Sequence, residues 1–195
     1  MGLTLEKKQT ISLEKEAGST LRNVELGLGW DPVKSGFLGK LMGGDNAIDL
    51  DASCIVLDGA KTPLDLVWFR QLVSKCGRIK HSGDNRTGEG TGDDETISVD
   101  LQGLSQNVQH LVFTVNSFTG QNFSKVANAY CRIIDADSKR ELARFNLAEQ
   151  GNHTGIIMAY LSRTASGWNF TAVGKISDGR TVTDIGAQAA AVVAA

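Results

Sequence analysis

Thr96-Ile97-Ser98-Val99-Asp100-Leu101 alternates hydroxyl or acid with aliphatic side chains, the period of a strand that buries one face. The same signature recurs in Val24-Glu25-Leu26-Gly27-Leu28, Leu111-Val112-Phe113-Thr114-Val115, Ala129 to Ile134, Ile156 to Leu161 and Trp168 to Val173. Each run is short and bounded by Gly, Asn, Asp or Ser, which supply turns. Short strands separated by turns, with few helical stretches between them, predict an all-β fold with minor helix: a β-sandwich of two packed sheets. Helical patterning is confined to Leu64 to Val73, a short turn near Gln121 to Val126, and the Ala-rich tail. Residues 1–183 read as a single sandwich domain with a loop insertion at 32–47. Residues 184–195 read as a tail without an amphipathic face, expected to fray.

Twenty basic against 22 acidic residues leave a net charge of −2, which argues against a non-specific nucleic-acid binder. No apolar run approaches the roughly 20 residues of a membrane span. Met1 to Glu16 alternates Leu and Ile with Lys and Glu and holds no apolar stretch of a secretion signal, so a cytoplasmic protein is expected. Cys54 and Cys131 sit in apolar runs as small hydrophobes, whereas Cys76 lies between Lys75 and Arg78 and is expected at the surface. Pro32 to Gly44 embeds Phe37, Leu38, Leu41 and Met42 among Gly and Lys. It reads either as a surface loop or as a partner or membrane-surface contact. Asp51 to Asp58 resembles Asn128 to Asp135, and Leu66 to Phe69 resembles Leu142 to Phe145 at nearly the same offset. Either two pseudo-equivalent halves build one sandwich, or strand-rich segments coincide by chance.

The segment that speaks to function is Gly83-Asp-Asn-Arg-Thr-Gly-Glu-Gly-Thr-Gly-Asp-Asp-Glu95. Asp84, Glu89, Asp93, Asp94 and Glu95 face Arg86 alone. Two carboxylates about 4 Å apart repel by roughly 1 kcal/mol in water and about 4 kcal/mol at an effective dielectric of 20. A glycine-rich loop that gathers acids must therefore hold a cation or remain a splayed, solvated turn. Carboxylates, an Asn amide and free carbonyls form an oxygen-only donor set, which suits Ca²⁺. Transition metals prefer imidazole or thiolate, and His81 is the one such group nearby. The sixth residue from Asp84 is Glu89, not Gly, so the loop is not an EF-hand. Asp49-Leu50-Asp51 places two more acids on one strand face, Asp31 follows the Gly27-Leu28-Gly29-Trp30 run, and Asn122 and Asn128 add neutral oxygens. No GxSxG, HExxH or paired cysteines accompany His81, His110 or His153, so a hydrolase or thiol-redox enzyme has no visible machinery.

Gly27-Leu-Gly-Trp-Asp31, Asp49-Leu-Asp-Ala-Ser53, the Gly83–Glu95 loop and Gln121-Asn-Phe-Ser-Lys-Val-Ala-Asn-Ala-Tyr130, in this order, resemble the motifs of the TerD family of tellurite-resistance and stress-response proteins. The resemblance runs from about Leu3 to Gly174, and the insertion at Gly36 to Gly44 looks most like the TerZ branch. It implies a calcium-binding β-sandwich that holds two adjacent Ca²⁺ ions and has no catalytic role. Carried over, Asp31, Asp49, Asp51, Asp84, Asn85, Glu89, Asp93, Asp94 and Glu95 are the side-chain ligands, with Thr87, Gly88 and Gly90 as carbonyl donors. The resemblance further implies a cytoplasmic protein, peripheral at the inner membrane, that works with other Ter proteins including the membrane protein TerC.

Overall fold

The computed structural model describes residues 2–32, 49–83, 85, 92–147 and 151–193. Twelve strands form two six-stranded sheets among the described residues. The elements in chain order are β1 (Leu3–Thr4), β2 (Thr10–Ser12), α1 (Leu13–Ala17), β3 (Asn23–Pro32), β4 (Leu50–Leu57), β5 (Pro63–Val67), β6 (Ile79–His81) and β7 (Glu95–Asp100). After them come β8 (His110–Ser117), a 3₁₀ turn (Phe123–Lys125), β9 (Val126–Asp135), β10 (Arg140–Asn146), β11 (Gly155–Thr164), β12 (Gly167–Ser177) and α2 (Val182–Val192). The first sheet runs β1-β10-β9-β3-β7-β6 and the second β2-β12-β11-β8-β4-β5. All pairings are antiparallel except β1 on β10. The β-sandwich expected from the alternating runs is the observed architecture.

Alternation decides which side chains meet between the sheets. In β7, Glu95, Ile97 and Val99 are buried while Thr96, Ser98 and Asp100 are half-buried. Leu26, Leu28, Cys54, Phe113, Cys131, Ile133, Met158 and Phe170 fill the interior with them. Burial raises both interior thiols, that of Cys131 to about 12, so they act as packing groups. Cys76 is exposed, as its charged neighbours suggest. Every residue of β4 is buried, because this strand has a second apolar layer on its outer face.

That layer is α2. The tail expected to fray is a helix whose Val182, Ile185 and Ala189, followed by Val193, pack on Ile55, Leu57, Val112, Ile157 and Tyr160. Its N-terminus is fixed by a capping box between Thr181 and Asp184. The tail is therefore a helix packed on the outer face of the sandwich rather than a frayed end. Leu64 to Val73 also departs from expectation: it is β5 followed by a turn, not a helix. Leu64 and Leu66 alternate with Asp65 and Val67, and Asp65 accepts from Leu66 N, Gln71 Nε2 and Lys75 N, which folds the chain back.

The internal repeat corresponds to two hairpins in opposite sheets. β4-β5 lies beside β8 in the second sheet, and β9-β10 lies beside β3 in the first. Each hairpin thus pairs with the strand that precedes the other hairpin in sequence.

Ile185, on the sheet-facing side of α2, is fully buried. Ile185→Ala is expected to lower unfolding free energy by about 2–4 kcal/mol through the cavity it leaves. Denaturant unfolding followed by circular dichroism checks this, and an unchanged midpoint would show the helix to be dispensable.

Candidate metal centre

β4 extends four residues, Leu50 to Ser53, beyond its pairing with β5 at Cys54 and Val67, which leaves the edge N–H and C=O of Ala52 without a strand partner. Buried backbone polar groups must be satisfied. Glu95, at the start of β7, turns inward and its Oε2 accepts from Ala52 N at 2.7 Å. His81 Nε2 lies 3.1 Å from Ala52 O and 3.3 Å from Glu95 Oε2, and both side chains are fully buried. Gly83 N donates to His81 Nδ1 at 3.0 Å, which assigns the imidazole proton to Nε2. Both ring nitrogens are thereby engaged, and His81 bridges the sheets. Glu95 Oε1 accepts from Asn85 N at 3.0 Å, tying the acidic segment to the same point.

Next to it, Asp94 N donates to Leu28 O at 2.7 Å, and its carboxylate accepts from Trp30 N at 2.8 Å and Asn85 Nδ2 at 3.1 Å. Burial pushes the Asp94 carboxyl above its ordinary pKa, and the like charges of Asp31, Asp93 and Glu95 push the same way against the Trp30 hydrogen bond. Asp31 is exposed and accepts from Asn128 Nδ2 at 2.8 Å. Asn128 adopts a left-handed φ of 52°, which an Asn tolerates better than most residues.

Asp93 points elsewhere. Its carboxylate is gripped by Arg132, with Nε 2.8 Å from Oδ1 and Nη2 3.0 Å from Oδ2, and the Tyr130 hydroxyl lies 3.0 Å from Oδ1. Arg132 also donates to Glu141 at 3.1 Å, and Glu141 accepts from Arg144 at 2.9 Å. The Arg144 guanidinium lies 4.1 Å from the centre of the Tyr130 ring, a cation–π contact. Burial and the Asp93 charge push the Tyr130 hydroxyl up to about 12. Burial raises the Glu141 carboxyl, but hydrogen bonds from Arg144 and Arg132 outweigh it and hold the group below its ordinary pKa.

This latch explains two glycines. Gly27 faces Arg132 and Gly29 faces Tyr130 across β3 and β9. A Cβ on Gly27 would lie 2.0 Å from Asp93 Oδ2, and one on Gly29 would lie 2.4 Å from Tyr130 Cζ. Arg132, Glu141 and Arg144 were not singled out from the sequence. Their signal is the placement of Tyr130 and Arg132 at alternate positions, opposite two glycines.

A cavity of about 700 Å³ opens beside these groups, lined by Trp30, Asp31, Gly92, Asp94, Asn128, Ala129, Tyr130, Arg144, Asn146 and Leu147. Its polar side chains are the carboxylates of Asp31 and Asp94, the amides of Asn128 and Asn146, the Tyr130 hydroxyl and, held on Glu141 and the Tyr130 ring, the Arg144 guanidinium. The oxygens, with no imidazole or thiol among them, suit a hard cation at the Asp31–Asp94 end. The described residues bring together Asp31, Asp94, Asn85 and Glu95. Asp51 is buried on the outer face of β4 opposite Asn116, and Asp49 precedes it. Among the described residues no three His, Cys, Asp or Glu side chains converge as a complete metal site. Asp84, Thr87, Gly88, Glu89 and Gly90 lie outside the described residues.

The fold and its motifs coincide with a known family. The family model described as the TerD domain matches residues 1–183. The chain is 53% identical over 184 residues to tellurium resistance protein TerZ of Serratia marcescens, covering 94% of each. It is 40% identical over 196 residues to stress response protein SCP2 of Bacillus subtilis (strain 168), covering 95% of this chain and 98% of the relative. The crystal structure of a homologue of telluride resistance protein (TerD) from Streptomyces coelicolor A3(2) superposes with a TM-score of 0.68 at 24% identity, over 85% of this chain and 95% of that one. The chain belongs to the TerD family of tellurium-resistance and stress-response proteins.

Gly27→Ala forces the Asp93 carboxylate off its seat and is expected to cost about 1–3 kcal/mol by overpacking. Differential scanning calorimetry checks it. Because folding lowers the Glu141 pKa, its contribution is present above the ordinary carboxylate range and is lost as pH falls through the lowered value. Stability measured against pH should therefore drop less steeply on the acid side in Arg132→Met than in the parent. Parallel curves would show that the latch does not titrate.

Proposed function

We propose that this chain is a calcium-binding, non-catalytic stress-response module that acts through protein partners. The observation that carries the reading is the crowding of Asp94, Asp31 and Glu95. Asp94 is raised by burial and further by its like-charged neighbours, and among the described residues no lysine or arginine forms an ion pair with Asp94 or Asp31. A divalent cation is the economical remedy for such repulsion, and the oxygen donors of the cavity suit Ca²⁺. Asp31 and Asp94 would hold it, with Asn85 and Glu95 beside them, while Asp51, expected among the ligands, lies on the outer face of β4. Asp84 and Glu89, with the carbonyls of Thr87, Gly88 and Gly90, would complete two sites. Asp93 would anchor the segment through Arg132.

When bound, calcium supplies positive charge and a fixed coordination sphere. The chain's own residues do the rest. Glu95 and His81 are pinned to β4, and Asp93 is pinned to Arg132 of β9. The ordered surface is the part offered to partners, which in this reading are other Ter proteins, including the membrane protein TerC, met at the inner membrane from the cytoplasm. Among the described residues no helix is long and apolar enough to cross a membrane. The relatives carry names of resistance and stress response rather than of an enzymatic reaction. His81, the histidine nearest the acids, has both nitrogens occupied and offers no base.

Isothermal titration of extensively dialysed protein with Ca²⁺ tests the reading, with two ions per chain as the expected result. A ligand that binds only the folded state adds about 2.7 kcal/mol at 100 times its Kd, so a chelator should lower the melting temperature. The double variant Asp31→Asn with Asp94→Asn is expected to weaken binding by about a hundredfold, in line with the loss of two charged ligands. No heat of binding, together with a melting temperature indifferent to chelation, would overturn the proposal.

A further inference from the structure

A second cavity of about 700 Å³ lies on the outer face of the second sheet, between the N-terminal arm and the last turn of α2. Lys7 and Lys8 come from the arm and Lys175 from β12, and no acidic residue contributes to the lining. In a chain of net charge −2 this is a local inversion of sign. Among the described residues neither Lys8 nor Lys175 forms an ion pair with a carboxylate. The arm is fastened rather than loose: Lys8 N donates to Ala172 O at 2.8 Å, and Ala172 N to Gln9 O at 3.0 Å. Lys8 itself stands at a left-handed φ of 70°, which points to a fixed turn.

The rest of the lining is apolar. Tyr160 and Val173 come from β11 and β12, Val192 from the end of α2, and Ile176 at the rim is 47% exposed. Thr10 and Thr171 share one hydroxyl–hydroxyl bond at 2.8 Å, which leaves one of the two protons for a further acceptor. A simple inorganic anion would leave the apolar surface wet, and a neutral hydrocarbon would leave the Lys8 and Lys175 ammonium groups without a counter-charge. The geometry points to a binding site for a single-chain anionic amphiphile, such as a long-chain carboxylate, with its head among Lys7, Lys8 and Lys175 and its chain along Tyr160, Val173 and Val192. Charge complementarity selects the head, and burial of apolar area holds the tail. This site lies on the other sheet from the acidic cavity and does not depend on calcium.

Laurate is the probe, titrated below its micelle concentration in buffer with and without chelator, by calorimetry and by amide chemical shifts. The expected result is saturable binding that shifts residues around Tyr160 and Val173 and is equal in both buffers. Lys8→Glu combined with Lys175→Glu should weaken it by about tenfold or more, as charge reversal beside an anion does. Ala191→Trp, an exposed position on the apolar wall, should weaken it comparably by filling the groove. Unchanged melting temperatures of these surface variants would separate lost binding from lost fold. The proposal is overturned if laurate fails to bind, or if the charge-reversed variant binds it equally. It is overturned as well if neutral monolaurin or inorganic phosphate binds as tightly as laurate, or if only anionic vesicles bind.

Discussion

An antiparallel strand that outruns its neighbour leaves backbone donors and acceptors facing the interior, and the molecule must answer that demand at Ala52. Glu95 and His81 supply the answer. Their side chains replace a missing stretch of strand, and because one belongs to β7 and the other to β6, the repair also joins the two sheets. Removal of either would strand a buried polar group, a cost of about 1–3 kcal/mol before any rearrangement. The acidic segment is consequently bolted to the core at His81 and at Glu95. Whatever its carboxylates do, they do it from a rigid base.

The latch on the opposite side works by a different logic. Asp93 and Glu141 alternate with Arg132 and Arg144 over the surface of the first sheet, and two glycines in β3 make room for them. Paired charges half-shielded from water hold geometry better than they add stability. Asp94, by contrast, stands one residue further on without a guanidinium of its own. These neighbours differ sharply within a single dipeptide: one acid is neutralised by arginine, and the next is raised by burial and by the like charges around it.

Strand alternation made the sandwich readable, since Thr96 to Leu101 and its counterparts announce a buried face directly. The acidic stretch was readable too, because its charge density has no parallel in the chain. Other features depend on distant partners. Arg132 is an ordinary strand arginine until β3 brings Gly27 opposite it, and Glu95 is one acid of several until Ala52 N arrives. α2 escaped because its buried stripe starts at Val182 and Ile185, ahead of the alanines that suggested a featureless tail. Leu64 to Val67 has a pattern short enough for helix or strand, and Asp65, through the turn it caps, decides the matter.

The crossed pairing of the two hairpins has a further consequence. Since β4-β5 leans on β8 and β9-β10 leans on β3, neither half of the chain contains all the neighbours its own strands require. The arrangement is that of two protomers that have exchanged arms and been fused into one polypeptide. A first half taken by itself would leave one edge of β3 and one edge of β4 unpaired, the edges that β9 and β8 cover in the whole chain.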